Sequence, residues 1–247
     1  TSVFFFIYLC KIINMKKFTN VIVLDASGSM SNKIAEVVGG LKQLFQSIKD
    51  EKDKYPDTEV TTIVTDFSSA GDFRVLINSD YLSDLKDNVA ESYSTRGMTA
   101  LYDAMGLSFK LIPEDQDGVF ITIITDGEEN DSKEFKYEDI KTLITDSRSK
   151  NWVISFMGTT EESIKNAVDL GVSKGNTVQF ANNTDGVAYA ASATVLSRSA
   201  HYTSVVTGVN LDLENLVSNT LNVAEVDGVI QNAVSNVSTT FDTRQKK

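Results

Sequence analysis

Two nearly unbroken apolar runs about a hundred residues apart, Val21 to Leu24 and Val119 to Thr125, each end in an aspartate on a glycine-containing turn. Asp25 opens the turn that holds Gly28, and Asp126 precedes Gly127. A run rich in β-branched residues, with no polar alternation, suits a strand covered on both faces. Amphipathic segments lie between and after the two runs, and helices that connect buried parallel strands build a doubly wound α/β sheet with helices on both faces.

The other elements follow from spacing. Ile34, Val37, Val38, Leu41, Leu44, Phe45 and Ile48 recur at intervals of three and four, which predicts a helix from Asn32 to about Tyr55 with Ser31 or Asn32 as its N-cap. Strands are expected at Val60 to Phe67 and Phe73 to Ile77. Their connection, Ser68 to Asp72, is too short for a parallel crossover and predicts an antiparallel hairpin. A short helix is expected over Leu82 to Val89, and another starts near Thr99, with Leu101, Ala104, Met105 and Leu107 to Phe109 as its apolar face. Helices at Tyr137 to Lys150, Glu161 to Leu170 and Asp185 to Ser197 then alternate with strands at Trp152 to Met157 and Thr177 to Phe180.

This reading gives one main domain over residues 15–202 with an extension at each end. The apolar run from Val3 to Cys10 is far shorter than the roughly 20 residues that a spanning helix needs. Residues 1–14 are expected to be an upstream extension ahead of a start at Met15, or an extra edge strand, and not a membrane anchor. Residues 203–247 are expected to form a helical extension, with amphipathic segments at Asp212 to Leu221 and Val226 to Val237, that packs on the domain or on another subunit.

Composition narrows the chemistry. A net charge of -11 argues against nucleic acid or an anionic membrane as the main partner, because phosphate contacts need clustered Lys and Arg. The single cysteine, Cys10, rules out an internal disulfide and fits a reducing, cytoplasmic setting. His201 is the one histidine and stands apart from the other polar candidates. A serine hydrolase would need a histidine base and a Gly-x-Ser-x-Gly elbow, and neither accompanies the serines here. An aspartyl phosphatase would place a second carboxylate two residues after Asp25, where Ser27 stands.

What does stand after the first strand is Asp25-x-Ser27-x-Ser29. Alternate residues on a tight turn aim one carboxylate and two hydroxyls at a single point, an all-oxygen cradle suited to Mg²⁺, Mn²⁺ or Ca²⁺. Zinc or copper would favour His and Cys ligands. The triplet, then Thr99 in a Gly-x-Thr loop, then Asp126 at the end of a central strand together resemble the metal-ion-dependent adhesion site of von Willebrand factor A domains. The resemblance covers about residues 17–200 and is nearer to compact intracellular bacterial and viral members than to disulfide-bearing extracellular adhesion modules.

The resemblance implies a six-stranded sheet ordered 3-2-1-4-5-6, with strand 3 antiparallel to the rest. That order brings the strands ending in Asp25 and Asp126 side by side at the switch point, where open α/β sheets bind ligands. It also implies that Ser27 and Ser29 bind the ion directly, that Asp25 and Asp126 act directly or through water, and that Thr99 changes its engagement as the site opens. A carboxylate from a partner protein would complete the ion's coordination. The implied function is therefore a metal-dependent protein-interaction module and not an enzyme.

Two other functions compete with it: a metal-assisted phosphoesterase, and an assembly component that oligomerises through the C-terminal extension. Arg96 and Met98 flank Gly97 beside the proposed ion and are either partner contacts or plain exposed side chains. Glu128, Glu129 and Asp131 are expected to form a solvated acidic rim that could also meet a partner. Asp103, one turn after Thr99, either bonds within the loop or is a solvated helix residue, and Thr99 itself could serve only as an N-cap.

Overall fold

The computed structural model describes residues 15–126, 129–150, 152–179 and 184–208. Its centre is strand β1, Lys16–Asp25, with β2, Thr58–Phe67, parallel on one side and β4, Gly118–Ile124, parallel on the other. β3, Phe73–Ser79, runs antiparallel to β2, while β5, Val153–Gly158, and β6, Thr177–Gln179, extend the sheet beyond β4. The strand order is β3-β2-β1-β4-β5-β6, as the sequence resemblance implies. β1 starts five residues earlier than the apolar run predicts, because Lys16 to Asn20 pair in register with Thr58 to Thr62.

Side chains alternate across the strands, so β1 feeds two separate cores. Ile22 and Leu24 join one cluster with Val37, Leu41, Leu44, Phe45 and Ile48 of α1, Ile34–Lys54. Val21 and Val23 join the other, with residues of α3, Leu101–Lys110, α4, Tyr137–Ser149, and α5, Glu161–Leu170. The helix expected over Leu82 to Val89 is instead a 3-10 turn at Leu82–Asp84 followed by α2, Asp87–Glu91.

Local chemistry sets several boundaries. Pro56 disfavours helical backbone at Tyr55, where α1 stops. Thr160 caps α5 by accepting from the Ser163 amide at 3.0 Å, and Gly171, at a φ of 109°, ends that helix in the left-handed conformation glycine tolerates.

The last described helix, α6, Thr184–Thr207, continues ten residues past the expected stop at Ser197. The reason is burial. Tyr202 stacks on Phe18 with ring centroids 3.8 Å apart and on Tyr55 at 5.2 Å, and its hydroxyl shares a 2.7 Å hydrogen bond with Thr58 Oγ1. Thr203 is fully buried, and Arg198 meets Glu51 of α1 at 3.1 Å with both side chains buried. The domain therefore runs through the expected boundary at residue 202, which falls inside this helix. The extension expected at residues 1–14 and the segments expected after residue 208 lie outside the described residues. Among the described residues no helix is long and apolar enough to cross a membrane.

Candidate metal centre

The carboxyl ends of β1 and β4 meet as the strand order requires. Ile124 pairs with Leu24, so Thr125 stands level with Asp25 and Asp126 lies one residue beyond. Asp25 is fully buried. Its Oδ1 accepts from the Ser27 amide at 2.7 Å and its Oδ2 from the Thr125 hydroxyl at 2.6 Å. Burial, partly offset by these hydrogen bonds and reinforced by the nearby Asp126 charge, raises its pKa to about 6. Ser27 Oγ and Ser29 Oγ lie 3.0 Å apart, so the two hydroxyls of the triplet do converge.

The ligand turn is tied to the loop that carries Thr99. Gly28 N donates to Gly97 O at 3.1 Å, Arg96 N donates to Ala26 O at 2.6 Å, and the Tyr93 hydroxyl donates to the Asp25 carbonyl. Burial and the surrounding Asp25, Asp66 and Asp126 carboxylates hold the Tyr93 phenol well above its usual pKa, so it serves as a donor throughout the physiological range. Gly97 takes a φ of 60°, and a Cβ there would stand 2.5 Å from Ser69 Oγ. Glycine at this position lets the Thr99 loop close on the Asp25 turn.

Thr99 is buried, but it does not cap a helix. α3 begins at Leu101 without a side-chain cap; the Thr99 amide donates to Asn130 Oδ1 at 2.9 Å, and its carbonyl accepts from the Asn130 and Asp131 amides. The expected cap of α1 is also absent. A 3-10 turn, Gly28–Lys33, carries Ser31 and Asn32, and Lys33 takes the cap position. Asp126 is mostly buried, and its Oδ1 has no hydrogen-bond partner among the described residues. Its Oδ2 lies 3.8 Å from the buried ammonium of Lys33, which donates to Ser29 O at 3.2 Å. Asp25, Ser27, Ser29 and Asp126 thus share one end of the sheet, with the Thr99 loop hydrogen-bonded to it.

The residues expected at the rim have other duties. Arg96 is not a free contact: its guanidinium reaches Asp72 at 2.6 Å and buried Asp66 at 3.0 Å, while Arg74 holds Asp66 from the other side. Glu129 is not a solvated rim group, because it accepts from the Tyr102, Asp131 and Ser132 amides and from the Ser132 hydroxyl. Asp131 likewise accepts from Ala70 N at 2.8 Å. Met98 is half-exposed on the loop, and Glu128 lies outside the described residues.

Three residues of the site escaped the sequence reading. Lys33 and Tyr93 follow no motif spacing, and Thr125 reads only as the end of an apolar strand. His201 lies edge-on to Phe120, in the amino-terminal half of β4 and away from Asp126. A cleft of about 430 Å³ opens beside Asp126, lined by Tyr102, Glu129, Asn130, Tyr137 and Glu162 among others.

The donor set fits a hard cation. It offers hydroxyl and carboxylate oxygens, and a buried carboxylate oxygen without a partner among the described residues marks a place where positive charge is wanted. Among the described residues no three His, Cys, Asp or Glu side chains cluster as metal ligands.

No protein-family model matches the chain, and no curated protein matches its sequence. Solved structures do resemble it. The pilus adhesin SpaC of Lactobacillus rhamnosus GG, in its open conformation, superposes with a TM-score of 0.56 at 14% identity, over 79% of this chain and 30% of that one. The SpRpn10 VWA domain gives a TM-score of 0.52 at 11% identity, over 73% of this chain and 94% of that domain. Proximal thread matrix protein 1 of the mussel byssus, solved with zinc in its MIDAS motif, gives 0.53 at 18% identity, over 73% of this chain and 45% of that one. The chain therefore spans less than half the length of the adhesin and of the mussel protein. Its six-stranded sheet, with β3 antiparallel and helices on both faces, is the von Willebrand factor A fold.

Proposed function

We propose that this chain, a von Willebrand factor A domain by its fold, is a protein-interaction module that holds a divalent cation and through it binds an acidic side chain of a partner. The observation that carries the reading is Asp126 Oδ1, a buried carboxylate oxygen with no hydrogen-bond partner among the described residues, at the strand ends where Asp25 and the Ser27–Ser29 hydroxyl pair converge. Ser27, Ser29, Thr99 and Asp126 would hold the ion, and Asp25, whose two oxygens each accept one hydrogen bond and keep a lone pair, would hold the turn and meet the ion directly or through water. The ion, when bound, supplies a Lewis-acidic position for a partner's carboxylate.

Mg²⁺ is the proposed ion, with Mn²⁺ and Ca²⁺ as chemical equivalents for an oxygen donor set. Zinc belongs in the same test, since the mussel protein carries it in its own motif. Binding is favoured over hydrolysis because the acidic groups around the site are already committed: Glu129 to backbone amides, Asp131 to Ala70 and Asp66 to two arginines. A pilus adhesin and a byssus matrix protein with a MIDAS motif among the structural neighbours support a protein-interaction role.

Affinity capture with the full chain in Mg²⁺, beside the same capture in EDTA and with Asp25→Ala, tests the reading. A partner retained in Mg²⁺ and lost in both other arms is expected. A partner that stays bound in EDTA, or Mg²⁺-stimulated phosphoesterase activity, would overturn it.

A further inference from the structure

Lys33 is an unusual lysine. It stands at the amino-terminal cap of α1, where the helix dipole disfavours a cation, and burial adds the cost of desolvating an ammonium. A lysine stem is long enough to carry its charge out to water, yet the side chain is only 9% exposed. The ammonium is turned inward onto oxygens: Ser29 O and Asn32 Oδ1, each at 3.2 Å, and Asp126 Oδ2 at 3.8 Å. Two of these three groups belong to residues assigned above to the metal centre.

The contact with Asp126 is incomplete. At 3.8 Å it is an ion pair without a hydrogen bond, and it leaves Asp126 Oδ1 without a partner among the described residues. A buried carboxylate is therefore only partly neutralised by a cation tethered to the turn that also carries Ser27 and Ser29. A divalent ion bound at the same oxygens would meet that ammonium at close range in a poorly screened setting, where like charges repel strongly.

We infer that Lys33 is a tethered counter-ion of this site: its ammonium holds Asp126 and the Ser29 turn together in the metal-free protein, opposes the divalent ion, and so sets the metal concentration at which the site fills. The inference rests on the reading of Asp25, Ser27, Ser29, Thr99 and Asp126 as a metal centre. Replacing Lys33 by a neutral side chain of similar length removes the competitor and leaves Asp126 uncompensated until an ion arrives. Metal-free stability should fall while metal affinity rises, a pair of opposite changes that loss of simple packing would not produce.

Titration calorimetry of the full chain with Mg²⁺ and with Mn²⁺, together with thermal unfolding in EDTA and in excess Mg²⁺, tests this on wild type, Lys33→Met, Lys33→Arg and Asp25→Ala. Lys33→Met is expected to bind the ion about tenfold more tightly, to melt earlier in EDTA, and to gain more from Mg²⁺ than wild type does. Lys33→Arg keeps the charge and should stay near the wild-type affinity. If Lys33→Met does not fold in EDTA, Lys33→Gln carries the same comparison. Wild-type binding that Asp25→Ala abolishes but that Lys33→Met leaves equal or weaker overturns the inference and spares the metal centre. No binding by wild type or by Lys33→Met overturns the metal centre and the inference with it.

Discussion

The Thr125 hydroxyl donates to Asp25 Oδ2 at 2.6 Å, across the seam between two parallel strands whose partners are 100 residues apart in the chain. Neither residue could be placed against the other without the strand order. Asp25 is the buried anchor of the ligand turn, and Thr125 fixes which way its carboxylate faces. Thr125→Val keeps the β-branched shape and removes the donor, leaving Asp25 Oδ2 buried without this bond. We expect a loss of about 1–3 kcal/mol in chemical denaturation and weaker divalent binding by calorimetry. Thr125→Ser should restore both, since it returns the hydroxyl.

The same carboxylate makes metal-free stability depend on pH. Its folded-state pKa, about 6, lies above the unfolded value of 3.8. Between those values the folded state binds more protons, so this group's contribution falls as pH rises and its penalty is complete above about pH 6. A shift of roughly two units corresponds to about 3 kcal/mol. Urea unfolding in EDTA between about pH 4 and 7 should show this fall in wild type relative to Asp25→Asn, which cannot titrate there. Equal pH slopes in the two proteins would contradict the assignment.

Arg96 supports the site from within. It joins buried Asp66, half-exposed Asp72 and, through its own amide, the Ala26 carbonyl on the ligand turn. The pairing holds the Asp72 carboxyl below its usual pKa. Arg96→Ala removes one of two cations from Asp66 and is expected to cost about 2–4 kcal/mol, because a buried charge loses part of its compensation. Lysine cannot reproduce a fork that meets both carboxylates, so Arg96→Lys should recover little. Thermal unfolding of the two variants beside Arg74→Ala, which removes the more exposed arginine, measures the difference.

Much of the fold is legible in the sequence because its signals are periodic. The β-branched runs into Asp25 and Asp126, the three-four spacing of α1 and the five-residue link between β2 and β3 each depend on neighbouring residues alone. The polar framework of the site is another matter. Asp103 reads equally well as a solvated helix residue, yet its carboxylate accepts three backbone amides, from Lys133, Glu134 and Phe135, each at 2.8 Å. Arg96 reads as a partner contact or an exposed charge because its partners, 24 and 30 residues away, leave no trace in local composition, and the Tyr102 amide that Glu129 meets is as distant. The continuation of α6 past Ser197 has no local signal because the apolar wall that stabilises it comes from Phe18 and Tyr55, far back in the chain.

Tyr202 offers a control that separates the fold from the site. Its ring lies between Phe18 at the start of β1 and Tyr55 at the end of α1, and its hydroxyl bonds to Thr58 at the start of β2. It therefore closes the end of the sheet opposite Asp25, where β1 finishes. Tyr202→Ala should cost about 3–5 kcal/mol, as expected for emptying a buried aromatic position, and Tyr202→Phe about 1 kcal/mol for the lost hydrogen bond. Because none of these contacts reaches the Asp25 turn, divalent affinity per folded molecule should stay within about twofold of wild type for Tyr202→Phe. Denaturation and calorimetry on the same samples check this: a large affinity loss in Tyr202→Phe would mean that α6 and the metal centre are coupled through the sheet.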